Sequence, residues 1–199
     1  MGAVVAGITM SVDGYVAGPD DGPDMGLGRG GERLHHWVFG GPWTYAEPGD
    51  GPGPVGVDAE WMEELMSRTG AVIAGRGTYE AGGRWGGKNP WPVPTFILTH
   101  RPDDEPTGGE FTFVDGLRTA VERARAAAGD KDVHVMGGAE AIRGMLAEGL
   151  VDELTIIVAP VVLGGGKRLF EGFTTSVDLE QRGMRQSAFA TFIDYHVLR

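Results

Sequence analysis

The chain contains no cysteine. That excludes disulfides, a thiolate nucleophile and cysteine-bound metal. It has no apolar run long enough to form a transmembrane helix. It is also short of positive charge: 17 Lys and Arg stand against 28 Asp and Glu, a net charge of −11. Neither a nucleic-acid backbone nor an anionic membrane suits such a surface, so no partner of either kind is expected. An anionic ligand would need a local basic pocket. The first residues, MGAVVAGITM, lack the basic start of a signal peptide and read as a strand. The expectation is a cytoplasmic protein.

Two familiar motifs are missing as well. No G-x-S-x-G appears, so a serine hydrolase is unsupported. The stretch Gly164 to Arg168 has only the outline of a P-loop. Val161 stands where that motif needs glycine, and Arg168 where it needs Ser or Thr. His35 and His36 are adjacent, so on a helix they diverge and do not share a metal; no metal site is expected.

What the chain has in abundance is glycine, 35 of 199 residues, and the length suits one domain spanning 1–199. Ala3 to Ser11 is apolar and uncharged, as a central strand should be. Two loops rich in Gly, Pro and Asp follow, at 18–31 and 40–57, with a helix expected between them at Glu32 to Phe39. Gly26 to Gly31 fits G-x-G-x-x-G, but it does not follow a strand directly, and in so glycine-rich a chain the match carries little. Asp58 to Arg68 reads as a helix for which Asp58 is a candidate N-cap.

Strands are then expected at Ala71–Ala74, Thr95–Thr99, Phe111–Val114, Val133–Met136 and Leu154–Val162, with helices at Leu117–Ala128 and Ala139–Gly149. The chain closes with strands near Leu179–Gln186 and Phe189–Leu198, a hairpin about Ser187. This order predicts a mostly parallel sheet with helices on both faces and an antiparallel edge.

Three of the expected strands end in groups suited to phosphate: Gly75-Arg76 with Thr78, Thr99-His100-Arg101, and Gly137-Gly138-Ala139-Glu140. Glycines bare the backbone N–H groups, a helix start adds its positive dipole end, and arginine offers a fork of donors. In an open parallel sheet, ligands bind beyond the carboxyl ends of the strands, so the three would line one crevice. Two arginines there suggest more charge than one diphosphate, as a 2′-phosphate would supply.

These residues carry a resemblance. Ser11-Val-Asp-Gly, Gly75-Arg-Gly-Thr-Tyr-Glu, Ile97-Leu-Thr-His-Arg, Val135-Met-Gly-Gly-Ala-Glu, Gly149-Leu-Val-Asp-Glu-Leu and Ala159-Pro-Val-Val-Leu-Gly-Gly-Gly run in order over nearly the whole chain. Together they resemble the dihydrofolate reductase-like family that includes the riboflavin-biosynthesis reductase (RibD C-terminal) domain. The resemblance implies a three-layer α/β/α fold, NADPH as hydride donor, a small heterocyclic substrate and a homodimer. It implies that Gly75, Arg76 and Thr78 hold the adenosine phosphates, and that Thr99, His100 and Arg101 hold the 2′-phosphate. Gly137, Gly138, Ala139 and Glu140 would hold the diphosphate. Val16 and Ala17 would approach the nicotinamide, with Asp13 and Asp58 as the candidate catalytic acids. It also implies a cis peptide between Gly137 and Gly138.

The activity expected is hydride transfer to a C=N or C=O bond, in the manner of a 5-amino-6-(5-phosphoribosylamino)uracil reductase. Met136 stands where members of the riboflavin branch carry an acidic residue, which leaves that substrate open. The rival readings are a non-catalytic nucleotide-binding scaffold of the same fold, and a reductase using another hydride carrier such as a deazaflavin.

Overall fold

The structure, a computed structural model, describes residues 2–46, 51–102 and 109–198. Its frame is an eight-stranded sheet. In chain order the strands are β1 (Val4–Ser11), β3 (Thr69–Gly75), β4 (Thr95–Leu98), β5 (Phe111–Val114), β6 (Asp132–Val135), β7 (Glu153–Ala159), β9 (Leu179–Gln186) and β10 (Thr191–Val197). In space they lie in the order β5-β4-β3-β6-β1-β7-β10-β9. All neighbours from β5 to β7 are parallel; β10 and β9 close the edge antiparallel. This is the expected three-layer α/β/α arrangement, with the antiparallel hairpin at its C-terminal edge.

β1 sits in the middle because both its faces are apolar: Val4 and Ala6 are fully buried on one side and Val5 nearly so on the other. The first side is covered by α4 (Leu117–Ala128) and α5 (Ala139–Ala147). Ala120, Val121, Ala124 and Ala128 form a stripe of small residues at helical spacing, which lets α4 lie close on β3. α5 turns Ala141, Ile142, Met145 and Leu146 inward.

The second side is held by α1 (His36–Phe39) and α2 (Val57–Arg68). α2 buries only Asp58 and Trp61. Trp61 and Trp37 meet Phe192 of β10 at ring distances of 5.1 and 5.3 Å. Burying a side chain such as Phe192 contributes about 2–3 kcal/mol, and each ring pair about 0.5–1.5 kcal/mol more. Trp61→Ala would remove the main anchor of α2, at a cost of about 3–5 kcal/mol.

The two ends of the sheet differ. At the end where the parallel strands begin, carboxylates fasten the backbone: Asp132 accepts from the N–H of Ala3 and Asp152 from that of Val4, each at 2.8 Å. Arg125 and Arg68 in turn hold Asp152 and Asp132. At the opposite end, glycines and short turns leave backbone available.

Several boundaries differ from the sequence reading. The helix expected at Glu32–Phe39 is a 3₁₀ turn, Gly31–His35, followed by one α turn. β7 stops at Ala159 rather than Val162, since Pro160 lacks the N–H to continue a ladder. α5 ends at Ala147, with Gly149 at φ 65° in the left-handed turn beyond it. Asp58 is no N-cap: α2 begins at Val57 after Gly56, and no side chain caps it. A small ladder was not foreseen. β2 (Tyr15–Ala17) pairs antiparallel with β8 (Lys167–Arg168) above the ends of β1 and β7.

Candidate functional site

β3 ends at Gly75 and turns at once into α3 (Arg76–Ala81). β6 turns through Gly137-Gly138 into α5. The two turns touch: Gly75 N–H donates to the Gly137 carbonyl at 2.9 Å. The hydroxyl of Thr78 lies over the glycine pair, 3.3 Å from where a Cβ on Gly137 would stand and 3.0 Å from one on Gly138. A Cβ on Gly75 would meet Gly138 N at 3.2 Å. Side chains are therefore absent here for steric reasons, and backbone faces the space above the sheet. The Gly137–Gly138 peptide is cis.

Gly138, at the N-cap of α5, offers no side chain, and among the described residues the helix start has no side-chain cap. The first-turn amides of α5 and the positive end of its dipole thus suit an anion. Ala139 lies half-buried at that turn, and Glu140 is exposed beside it.

Arg76 links this turn to the next strand. Its Nε holds Glu80 at 2.9 Å and its Nη1 donates to the Thr99 hydroxyl at 3.1 Å. Thr99 is 4% exposed, and its hydroxyl also accepts from the Arg101 amide at 3.2 Å. His100 points outward, its Nδ1 3.2 Å from Asp115. The ends of β4, β3 and β6, adjacent in the sheet, therefore form one continuous rim of glycine backbone, threonine hydroxyls and guanidinium.

Val16 and Ala17 lie on β2, one rim position further along. The β2 segment is clamped by the glycine bend 164–166. A Cβ on Gly166 would stand 2.0 Å from the Ala17 carbonyl oxygen, which only glycine permits. Asp13 fastens the same bend. Its carboxylate accepts from the Ser11 hydroxyl at 2.7 Å and from the amides of Leu163 and Gly164 at 3.0 and 2.8 Å. The Ser11 bond, with the two amide bonds, holds its pKa down at about 2 against the opposing pull of burial.

Asp58 is the opposite case. It is 1% exposed, and among the described residues neither carboxylate oxygen has a hydrogen-bond partner. Burial pushes its pKa up, and the nearby Ser187 hydroxyl offsets part of the rise. Elsewhere the two loops are joined by aromatic residues: Phe39, Trp43 and Tyr45 meet edge-on in sequence at 5.0 Å ring spacings, and the Tyr45 hydroxyl accepts from the Leu27 amide at 2.6 Å.

The structure thus brings together Gly75, Arg76, Thr78, Thr99, Gly137, Gly138 and Ala139. It sets His100 and Glu140 at the exposed margin. It separates the two acids by environment, one saturated with donors and one with none. Of the five tryptophans, Trp37 and Trp61 are core, Trp85 packs on Trp91 and Tyr79, and Trp43 belongs to the aromatic loop. Glu80, which orients Arg76, went unread in the sequence, although its i, i+4 spacing from the arginine was visible. No helix among the described residues is long and apolar enough to cross a membrane.

Comparison with known proteins agrees with this layout. Residues 3–190 match the RibD C-terminal domain family. An uncharacterized protein of Bacillus subtilis, YwjB, is 33% identical over 133 residues, covering 64% of this chain and 72% of its own. A putative riboflavin biosynthesis protein from Shewanella superposes with a TM-score of 0.74 at 24% identity, covering 99% of each chain. A pyrimidine reductase-like protein from Corynebacterium diphtheriae gives 0.64 at 15% identity, over 100% of this chain and 92% of that one. Dihydrofolate reductase from Enterococcus faecalis, complexed with NADP(H), gives 0.59 at 16%, over 98% and 96%.

Proposed function

Because the chain belongs to the RibD C-terminal domain family, we propose that it is an NADPH-dependent reductase acting on a C=N or C=O bond of a small heterocycle. The observation that carries this reading is Asp58, a buried carboxylate with no hydrogen-bond partner for either oxygen among the described residues. A buried acid left without partners is a group poised for a ligand.

The residues present fit the cofactor. Gly137, Gly138, Ala139 and Glu140 offer backbone donors for the diphosphate at the uncapped start of α5. Gly75, Arg76 and Thr78 would hold the adenosine phosphates, and Thr99, His100 and Arg101 the 2′-phosphate. Val16 and Ala17 would approach the nicotinamide. When bound, NADPH supplies the hydride that forms the new C–H bond.

The remaining proton comes from the protein side. Asp58, with its raised pKa, holds a proton near neutrality better than an ordinary carboxyl and delivers it to the substrate nitrogen or oxygen. Asp13, ionised far below neutral pH, has a different part: it fixes the bend that backs Val16 and Ala17. Positioning over the rim supplies much of the rate. The same reading makes the protein a cytoplasmic homodimer of single-domain chains.

The substrate class rests on the relatives named for riboflavin biosynthesis and pyrimidine reduction. A panel of ribosylaminopyrimidines, pteridines and cyclic imines, followed by loss of NADPH absorbance, tests it. Turnover of at least one compound is expected, abolished in Asp58→Asn while NADPH binding persists. No turnover across the panel, with NADPH binding intact, would instead favour a nucleotide-binding scaffold.

A further inference from the structure

β8 is two residues long, and both its side chains are exposed. A helix helps to hold so short a strand in place. Arg143, half-buried on α5, reaches across to it. One nitrogen, Nη1, donates to the carbonyl of Arg168 at 3.1 Å and to that of Leu169 at 2.9 Å. A guanidinium NH₂ carries two N–H groups, so each carbonyl has its own donor. Hydrogen bonds from a charged donor are about twice as strong as neutral ones.

The tie continues into β2. The Leu169 amide donates to the Gly14 carbonyl at 3.1 Å. The Leu169 side chain is fully buried, in one core cluster with Ile142 and Met145 of α5. Arg168 pairs with Tyr15 in the ladder, and its guanidinium sits 4.5 Å over the Tyr15 ring. Arg143 therefore grips the segment that backs Val16 and Ala17. At its other end, Arg143 follows Ala139 by one helical turn, on the same side of α5. One side chain thus joins the first turns of α5 to β2.

From these contacts we infer that Arg143 is a positioning residue for the dinucleotide: it fixes the strand of Val16 and Ala17 relative to the first turn of α5. The inference rests on the cofactor reading above, in which α5 takes the diphosphate and β2 borders the nicotinamide. A ligand that touches both elements binds best when their separation is already set. A ligand that ends at the diphosphate gains nothing from the tie. Arg143 acts through β8 and β2, with no contact to the ligand required.

Two measurements on the whole protein test this. The first needs no cofactor: hydrogen exchange at the Leu169 amide is followed in the parent and in Arg143→Met, which keeps the stem without its donors. Exchange is expected to quicken about tenfold, the scale of one hydrogen bond to a charged group. The second compares NADPH with 2′-phosphoadenosine 5′-diphosphoribose, which has the same phosphates and no nicotinamide, by calorimetry. Arg143→Met is expected to bind NADPH about tenfold more weakly and the truncated nucleotide within about twofold of the parent. Should the methionine variant not fold, Arg143→Lys carries both arms. Its single ammonium on a shorter stem holds the two carbonyls less well, so the same inequality is expected at smaller size. Unchanged exchange at Leu169 in a folded variant would overturn the inference. So would equal losses for the two nucleotides, or no loss for either. A parent protein that binds neither nucleotide would overturn the cofactor reading, and the positioning role with it, even where the exchange responds.

Discussion

The guanidinium of Arg76 donates to the hydroxyl of Thr99 at 3.1 Å, across the ends of two neighbouring parallel strands. The contact fixes two of the three phosphate-type strand ends relative to each other. The third is fixed by the bond from Gly75 to Gly137. A ligand bridging all three would find the donors already arranged, which lowers the ordering cost of binding.

The glycine pair should tolerate no side chain. Gly138 has φ −85°, which any residue can adopt, so the obstacle to Gly138→Ala is the Thr78 hydroxyl 3.0 Å from the new Cβ. Gly138→Ala should destabilise the fold by about 1–3 kcal/mol and weaken NADPH binding. Adding Thr78→Ala should recover stability without recovering affinity. Thermal melts and nucleotide titrations of the single and double variants check this.

Asp13 should make stability depend on acid. Its folded pKa of about 2 lies below the ordinary 3.8. The unfolded chain therefore takes up the proton first as pH falls. The contribution is present in full above the unfolded value and is lost as pH drops through about 2. Asp13→Asn should be less stable than the parent at neutral pH and should converge with it at the acid end. Denaturant titrations across that range measure the difference.

His134 should act in a higher window. It is 8% exposed, both ring nitrogens lack partners among the described residues, and burial lowers its pKa from 6.5 to about 4. The unfolded imidazole protonates first, so the fold loses stability as pH falls from 6.5 toward 4, on the order of 3 kcal/mol. His134→Leu should flatten this part of the stability–pH curve and cost little at pH 8, since no hydrogen bond is lost.

Much of this frame was legible in the sequence because the signals were local. The stripe of α4 gives its bounds, Leu117–Ala128, and the run Phe111–Val114 gives β5. The apolar character of β1 on both faces marks it as central. The glycine pair and its cis peptide followed from the family resemblance rather than from propensity. What stayed hidden depends on distant partners. The β2–β8 ladder joins residues more than a hundred positions apart, and Lys167 and Arg168 are exposed, so no alternation marks them. Asp58 looked like a helix cap because Asp usually is one. Its burial comes from tertiary packing that no local pattern records. The two acids read alike in sequence and part only when Leu163 and Gly164 fold back onto Asp13.

The most direct test is a fluorescence titration of NADPH and NADH into the parent protein and Arg101→Ala. The account predicts saturable binding with NADPH preferred. In Arg101→Ala, NADPH should bind about 10- to 100-fold more weakly while NADH changes little, since only NADPH carries the 2′-phosphate. Unchanged emission with both nucleotides at millimolar concentration would contradict the account, as would an equal loss for both in the variant.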